Sequence, residues 1–145
     1  MGRFRVRAAR GEAMTILVIE DSRFLQRVID RLLRKAGYQA VVVSDGQEGL
    51  RQAQEQLPDL VLLDIMLPRL SGTAVLHALK TDPRTAKIPV VVLTALSRQN
   101  EAKLKEDGIH AFLEKAGLDL EKEPEVLTRV IELTLKQVKA VPESV

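Results

Sequence analysis

Five short apolar runs rich in β-branched residues punctuate the chain: Thr15 to Ile19, Ala40 to Val43, Leu60 to Leu63, Val90 to Leu93 and a shorter one at Ala111 to Leu113. Runs of this length without polar alternation mark strands buried on both faces, as in a parallel sheet. Between the first two lies a helical pattern with Phe24, Leu25, Val28, Ile29, Leu32, Leu33 and Ala36 on its inner face and Arg23, Arg27, Asp30, Arg31 and Arg34 opposite. Ser22 is placed to cap this helix and Gly37 to end it. A second helix is expected over about residues 46 to 56, with Ser44 and Gln47 spaced as a capping box and a narrow stripe of Leu50, Ala53 and Leu57. Further helices fit residues 72 to 80, 97 to 107 and 124 to 138. The last opens with Pro124 in its first turn and turns Leu127, Val130, Ile131, Thr134 and Val138 inward.

Strands that alternate with helices at this spacing predict an α/β fold: a doubly wound, five-stranded parallel sheet with right-handed crossovers and helices on both faces. The length of 145 residues suits one domain. We expect a folded unit over residues 14 to 138, a disordered basic leader over 1 to 13 and a tail over 139 to 145. That tail leaves too little sequence for a DNA-binding output domain.

Composition narrows the function. Hydrophobic residues are 46% and charged residues 29%, a globular balance. No apolar run approaches the roughly 20 residues that span a bilayer. The absence of cysteine removes disulfides and thiolate chemistry and fits a cytoplasmic setting. The net charge of +2 comes from the leader, where Arg3, Arg5, Arg7 and Arg10 against Glu12 give +3, so the rest is near −1. A nucleic-acid-binding domain would spread basic charge over the fold.

Parallel strands point the same way, so residues that follow them gather at one edge of the sheet. Glu20 and Asp21 follow the first strand, Asp64 the third and Thr94 the fourth. Lys115 stands two residues beyond the apolar core of the fifth. Each alone has a plain structural explanation, since Asp and Thr after a strand often cap the next helix. Their coincidence is the signal. Three carboxylates packed together repel and call for a cation, and hard oxygen donors without Cys or convergent His favour Mg²⁺. Such a metal neutralises a phosphoryl group arriving at Asp64, with Lys115 and Thr94 placed to contact its other oxygens. His77 and His110, the two imidazoles, fall at a polar helix position and at the opposite end of the sheet.

The segments ILVIEDS (16 to 22), LVLLDIMLPRLSG (60 to 72), PVVVLTALS (89 to 97) and GIHAFLEK (108 to 115) resemble the receiver domains of two-component response regulators. The resemblance, of the chemotaxis-regulator type, runs over about residues 14 to 138 and implies a flavodoxin-like strand order, 2-1-3-4-5. It implies that Asp64 is the phosphoacceptor, Asp21 a direct Mg²⁺ ligand, Glu20 a ligand through water and the Met66 main-chain carbonyl a further ligand. Thr94 and Phe112 match the family's switch pair, while Pro68 and Gly72 match the turn after the phosphoacceptor. A histidine kinase or phosphotransfer protein is the implied donor. A downstream protein is expected on the fourth helix, fifth strand and fifth helix, where only Ala102 and Leu104 offer apolar anchorage to residues 97 to 107. Phosphorylation is expected to draw in Thr94 and let Phe112 move inward. A homodimer is left open. One departure stands out: Ala116 follows Lys115 where the family usually has Pro, which implies a trans bond and puts the aim of Lys115 in question.

Two other functions compete. A receiver-like docking module that is never phosphorylated would not need Asp64, Asp21, Thr94 and Lys115 together. A phosphohydrolase with Asp64 as nucleophile wants a nearby general acid, and Met66 stands where an aspartate would supply it. The expected protein is therefore a signalling domain rather than an enzyme.

Overall fold

In the computed structural model, residues 13 to 140 are described, and residues 1 to 12, nearly all of the expected leader, and 141 to 145 lie outside them. The strands are β1 (Thr15–Ile19), β2 (Gln39–Val43), β3 (Leu60–Leu63), β4 (Val90–Thr94) and β5 (Ala111–Glu114). The helices are α1 (Arg23–Lys35), α2 (Gly46–Gln56), α3 (Gly72–Thr81), α4 (Glu101–Glu106) and α5 (Pro124–Ala140), with a 3-10 turn at Arg98–Asn100. All strand pairs are parallel and the order is β2-β1-β3-β4-β5. The predicted fold class and order hold.

Successive strand residues point to opposite faces, and both faces are packed. Ile16, Val18, Leu60, Leu62, Val91 and Leu93 meet Val28, Ile29, Leu32 and Leu33 of α1 and Leu127, Ile131 and Leu135 of α5. On the other face Leu17, Ile19, Val61, Leu63, Val90, Val92 and Phe112 meet Ala53 of α2, Val75, Leu76 and Leu79 of α3, and Leu104 of α4.

Several local expectations need correction. Phe24 and Ala36 are exposed, Phe24 at 61%, because the buried stripe of α1 is the narrower set Val28, Ile29, Leu32 and Leu33. The cap of α2 is Asp45, whose carboxylate accepts from the Glu48 N–H at 2.8 Å, and not Ser44. Ser44 instead accepts from Gln26 Nε2 at 2.9 Å. The predicted helix over 97 to 107 is a 3-10 turn followed by only six α-helical residues, with Leu104 its one buried side chain. The last helix continues past 138 to Ala140 and buries Leu135 as well. Gly37 ends α1 at a φ of 96°, a left-handed conformation that suits glycine.

Candidate metal and phosphoryl site

Strand ends deliver the predicted residues to one place. Carboxylate oxygens of Glu20, Asp21 and Asp64 all lie within 4.8 Å of one another, with Glu20 and Asp64 buried and Asp21 exposed. The sheet sets the two buried residues directly: Asp64 N–H donates to Ile19 O at 3.0 Å and Glu20 N–H to Val43 O at 3.1 Å. Ser22, the cap of α1, donates its own N–H to Glu20 Oε2 at 3.0 Å, so the helix start orients this carboxylate. Met66 N–H donates to Asp64 Oδ1 at 3.1 Å. The Met66 side chain stands exposed at the rim.

Lys115 closes the cluster. Its Nζ lies 3.0 Å from Glu20 Oε1 and 3.0 Å from Asp64 Oδ2. No peptide bond in the described residues is cis, so the Lys115–Ala116 bond is trans as expected. The aim of Lys115 comes from elsewhere: its N–H continues the sheet to Thr94 O at 2.8 Å, and Leu118 N–H returns to Lys115 O at 3.1 Å. The buried Leu120 and the Asp119 carboxylate, which accepts from Glu121 and Lys122 N–H, fix the loop beyond.

The charges are strongly coupled. Burial pushes the Glu20 carboxyl above its ordinary value, against the lowering effect of the Ser22 N–H and of Lys115. For Lys115, burial acts to lower its value but is outweighed by the hydrogen bonds to Glu20 and Asp64, leaving the ammonium held above the ordinary lysine range. An ammonium between two carboxylates shows that the pocket accepts a cation, and an all-oxygen donor set fits Mg²⁺.

Thr94 is fully buried, and its Oγ1 accepts from Leu96 N–H at 3.3 Å. Phe112 is already buried at 5% exposure, with the Arg98 guanidinium 5.6 Å from its ring centre. The expected inward movement of Phe112 therefore does not start from an outward ring. Its register partner on β4, Val92, and Leu104 of α4 belong with it to one buried apolar cluster. His77 is exposed on α3, and His110 accepts weakly from Val90 N–H at 3.4 Å, at the far end of β4. Neither joins the cluster.

Two contributors escaped the sequence reading. Gln26 Nε2 donates to the Glu20 main-chain oxygen and to Ser44, tying α1 to the ends of β1 and β2. Arg69 Nη1 lies 2.9 Å from Asp45 Oδ2, linking the loop after Asp64 to the start of α2. Long-range polar pairs of this kind leave no periodic signal.

Known proteins resemble the chain in sequence and in fold. The model of the response regulator receiver domain family matches residues 16–130. The polar-differentiation response regulator DivK of Brucella anthropi is 32% identical over 102 residues, covering 70% of this chain and 83% of the relative. A signal receiver domain of a signal transduction histidine kinase from Syntrophus aciditrophicus superposes with a TM-score of 0.76 at 30% identity, over 92% of this chain and 98% of the other. The phosphorylated cyanobacterial phytochrome response regulator RcpA gives 0.74 at 26% identity, over 86% and 96%.

Proposed function

The chain belongs to the response regulator receiver domain family, and from that premise we propose that Asp64 accepts a phosphoryl group from a partner histidine kinase or phosphotransfer protein in a Mg²⁺-dependent reaction. The observation that carries this is the convergence of Glu20, Asp21 and Asp64 with Lys115 at the sheet edge. Asp21 and Asp64 with the Met66 carbonyl would hold Mg²⁺ directly and Glu20 through water; the metal supplies charge neutralisation for the phosphoryl oxygens. An Asp64 carboxylate oxygen attacks phosphorus in line. The bond to the donor nitrogen breaks, its electron pair returns to the imidazole, and an aspartyl phosphate forms. Lys115 then trades its contact with Asp64 for a phosphoryl oxygen, and the Thr94 hydroxyl turns from Leu96 N–H toward another.

We place this signalling domain, residues 14 to 138, in the cytoplasm, with α4, β5 and α5 as its output surface. Among the described residues no helix is long and apolar enough to cross a membrane. The weak anchorage of α4 supports the output face, because a short helix with one buried side chain shifts at low cost. Thr94 reports the phosphoryl group through β4 to the neighbouring Phe112 and its Arg98 cover.

Beryllofluoride with Mg²⁺, which mimics a phosphoryl group on a carboxylate, tests the reading by hydrogen exchange. Changes are expected around Asp64 and concentrated over residues 94 to 113. A response confined to residues 22 to 57 would refute the output face. The absence of any response would favour a docking module that is never phosphorylated.

A further inference from the structure

The loop between β3 and α3 carries Met66, and its backbone is held at three points. Gly72 N–H donates to Ile65 O at 2.8 Å, and a Cβ at Gly72 would lie 2.4 Å from both Asp64 O and Ile65 Cα. A Cβ at Gly46, the first residue of α2, would lie 1.9 Å from Leu70 O, so the loop rests directly on that helix start. The third point is polar. Asp45 uses one carboxylate oxygen to cap α2 through Glu48 N–H at 2.8 Å and the other to grip Arg69 at 2.9 Å.

Arg69 adopts a φ of 66°, the left-handed region that side chains other than glycine enter at a cost. Glycine would satisfy this turn without strain. An arginine here supplies what glycine lacks, a cation that reaches Asp45. We propose that Arg69 is a positioning residue for the metal site: its pairing with Asp45 fixes the loop so that the Met66 main-chain carbonyl stays where Mg²⁺ requires it. The inference rests on the phosphoacceptor reading above. Mg²⁺ tolerates little departure from octahedral geometry, so a loop free to drift by a few tenths of an ångström loses affinity even with all three carboxylates intact. The Asp45 carboxylate, next to the helix start at Gly46, thus serves both the helix and the arginine.

The test compares wild type with R69G, R69K, D45N and the R69G/D45N double variant. R69G relieves the left-handed strain and removes the cation, while D45N keeps an oxygen for the cap and removes the charge. Calorimetric Mg²⁺ titration should show R69G and D45N weaker by about tenfold, the low end of what support to a metal ligand contributes. The double variant should be no weaker than the worse single, and R69K should retain most of the affinity. The ratio of wild type to variant should fall toward one at about 1 M salt, which screens an exposed pair. Hydrogen exchange of the metal-free chain should quicken at residues 65 to 71 in R69G while its melting temperature stays level or rises. Wild-type affinity in R69G with unchanged exchange over 65 to 71, or additive losses in the double variant, overturns the positioning role alone. A wild type that binds no Mg²⁺ overturns the phosphoacceptor reading as well.

Discussion

Lys115 places its ammonium 3.0 Å from Asp64, on the same oxygens that a phosphoryl site needs for a metal and a nucleophile. The pair is largely buried, so its attraction is screened little by solvent. In the metal-free chain the lysine offsets repulsion among the carboxylates, and it must yield part of that contact when a divalent cation enters. Lys115→Met should therefore bind Mg²⁺ more tightly than wild type while accepting a phosphoryl group more slowly. Calorimetry and a phosphorylation time course separate the two effects; weaker Mg²⁺ binding in this variant would contradict the competition.

Glu20 gives the site an unusual pH response. Burial holds its carboxyl above the ordinary 4.5, so on acidification the folded chain protonates Glu20 before an unfolded chain would. Its own contribution thus favours the fold at low pH and is lost as pH rises through the raised value. Metal binding has the opposite sign, since it needs the carboxylate. Mg²⁺ affinity should decline on acidification already above the ordinary glutamate value, and Glu20→Gln should bind weakly with a flatter pH profile. An affinity that stays level until pH 4.5 would rule this out.

Gly72 should not accept a side chain. A Cβ there meets backbone atoms of Asp64 and Ile65 at 2.4 Å, which no rotamer change relieves. Gly72→Ala should cost about 1 to 3 kcal/mol in urea unfolding, as overpacking generally does. Gly117→Ala meets nothing within 4 Å but sits at a φ of 78°. It should cost only about 1 kcal/mol.

Much of this was legible beforehand, for reasons that differ between elements. The strands of a doubly covered sheet are unbroken apolar runs, so β1 and β3 were placed to the residue, and the chemistry followed because strand ends share an edge. The helical composition of residues 97 to 107 predicts a longer α4 than forms, because only Leu104 finds the core. The apolar character of Phe24 predicts an inward side chain, but its position on α1 turns it to solvent. Lys115 kept its aim without the usual proline because the β5 to Thr94 hydrogen bond and the buried Leu120 hold the loop, contacts invisible in local sequence. Ser44 and Gln47 fit the same capping pattern one residue earlier, which hides the role of Asp45 in the sequence.

The proposed output face makes a dynamic prediction. With one buried residue and exposed ion pairs such as Lys103–Asp107, α4 is poorly tied down compared with α1, which buries four. Amides of 101 to 106 should exchange far faster than those of 28 to 33. Arg98→Ala, which strips the cation from the Phe112 ring, should quicken exchange in α4 and β5 further while costing only about 0.5 to 1 kcal/mol. Equal protection of α1 and α4 would contradict the account.

The most direct measurement is intact and tandem mass spectrometry of the purified chain after incubation with acetyl phosphate, with and without Mg²⁺. One phosphoryl group is expected, only with Mg²⁺, on the peptide containing Asp64, and Asp64→Ala should remain folded and unmodified. An adduct on His77 or His110, an adduct that persists in Asp64→Ala, or no adduct at all would contradict the assignment of Asp64 as the phosphoacceptor.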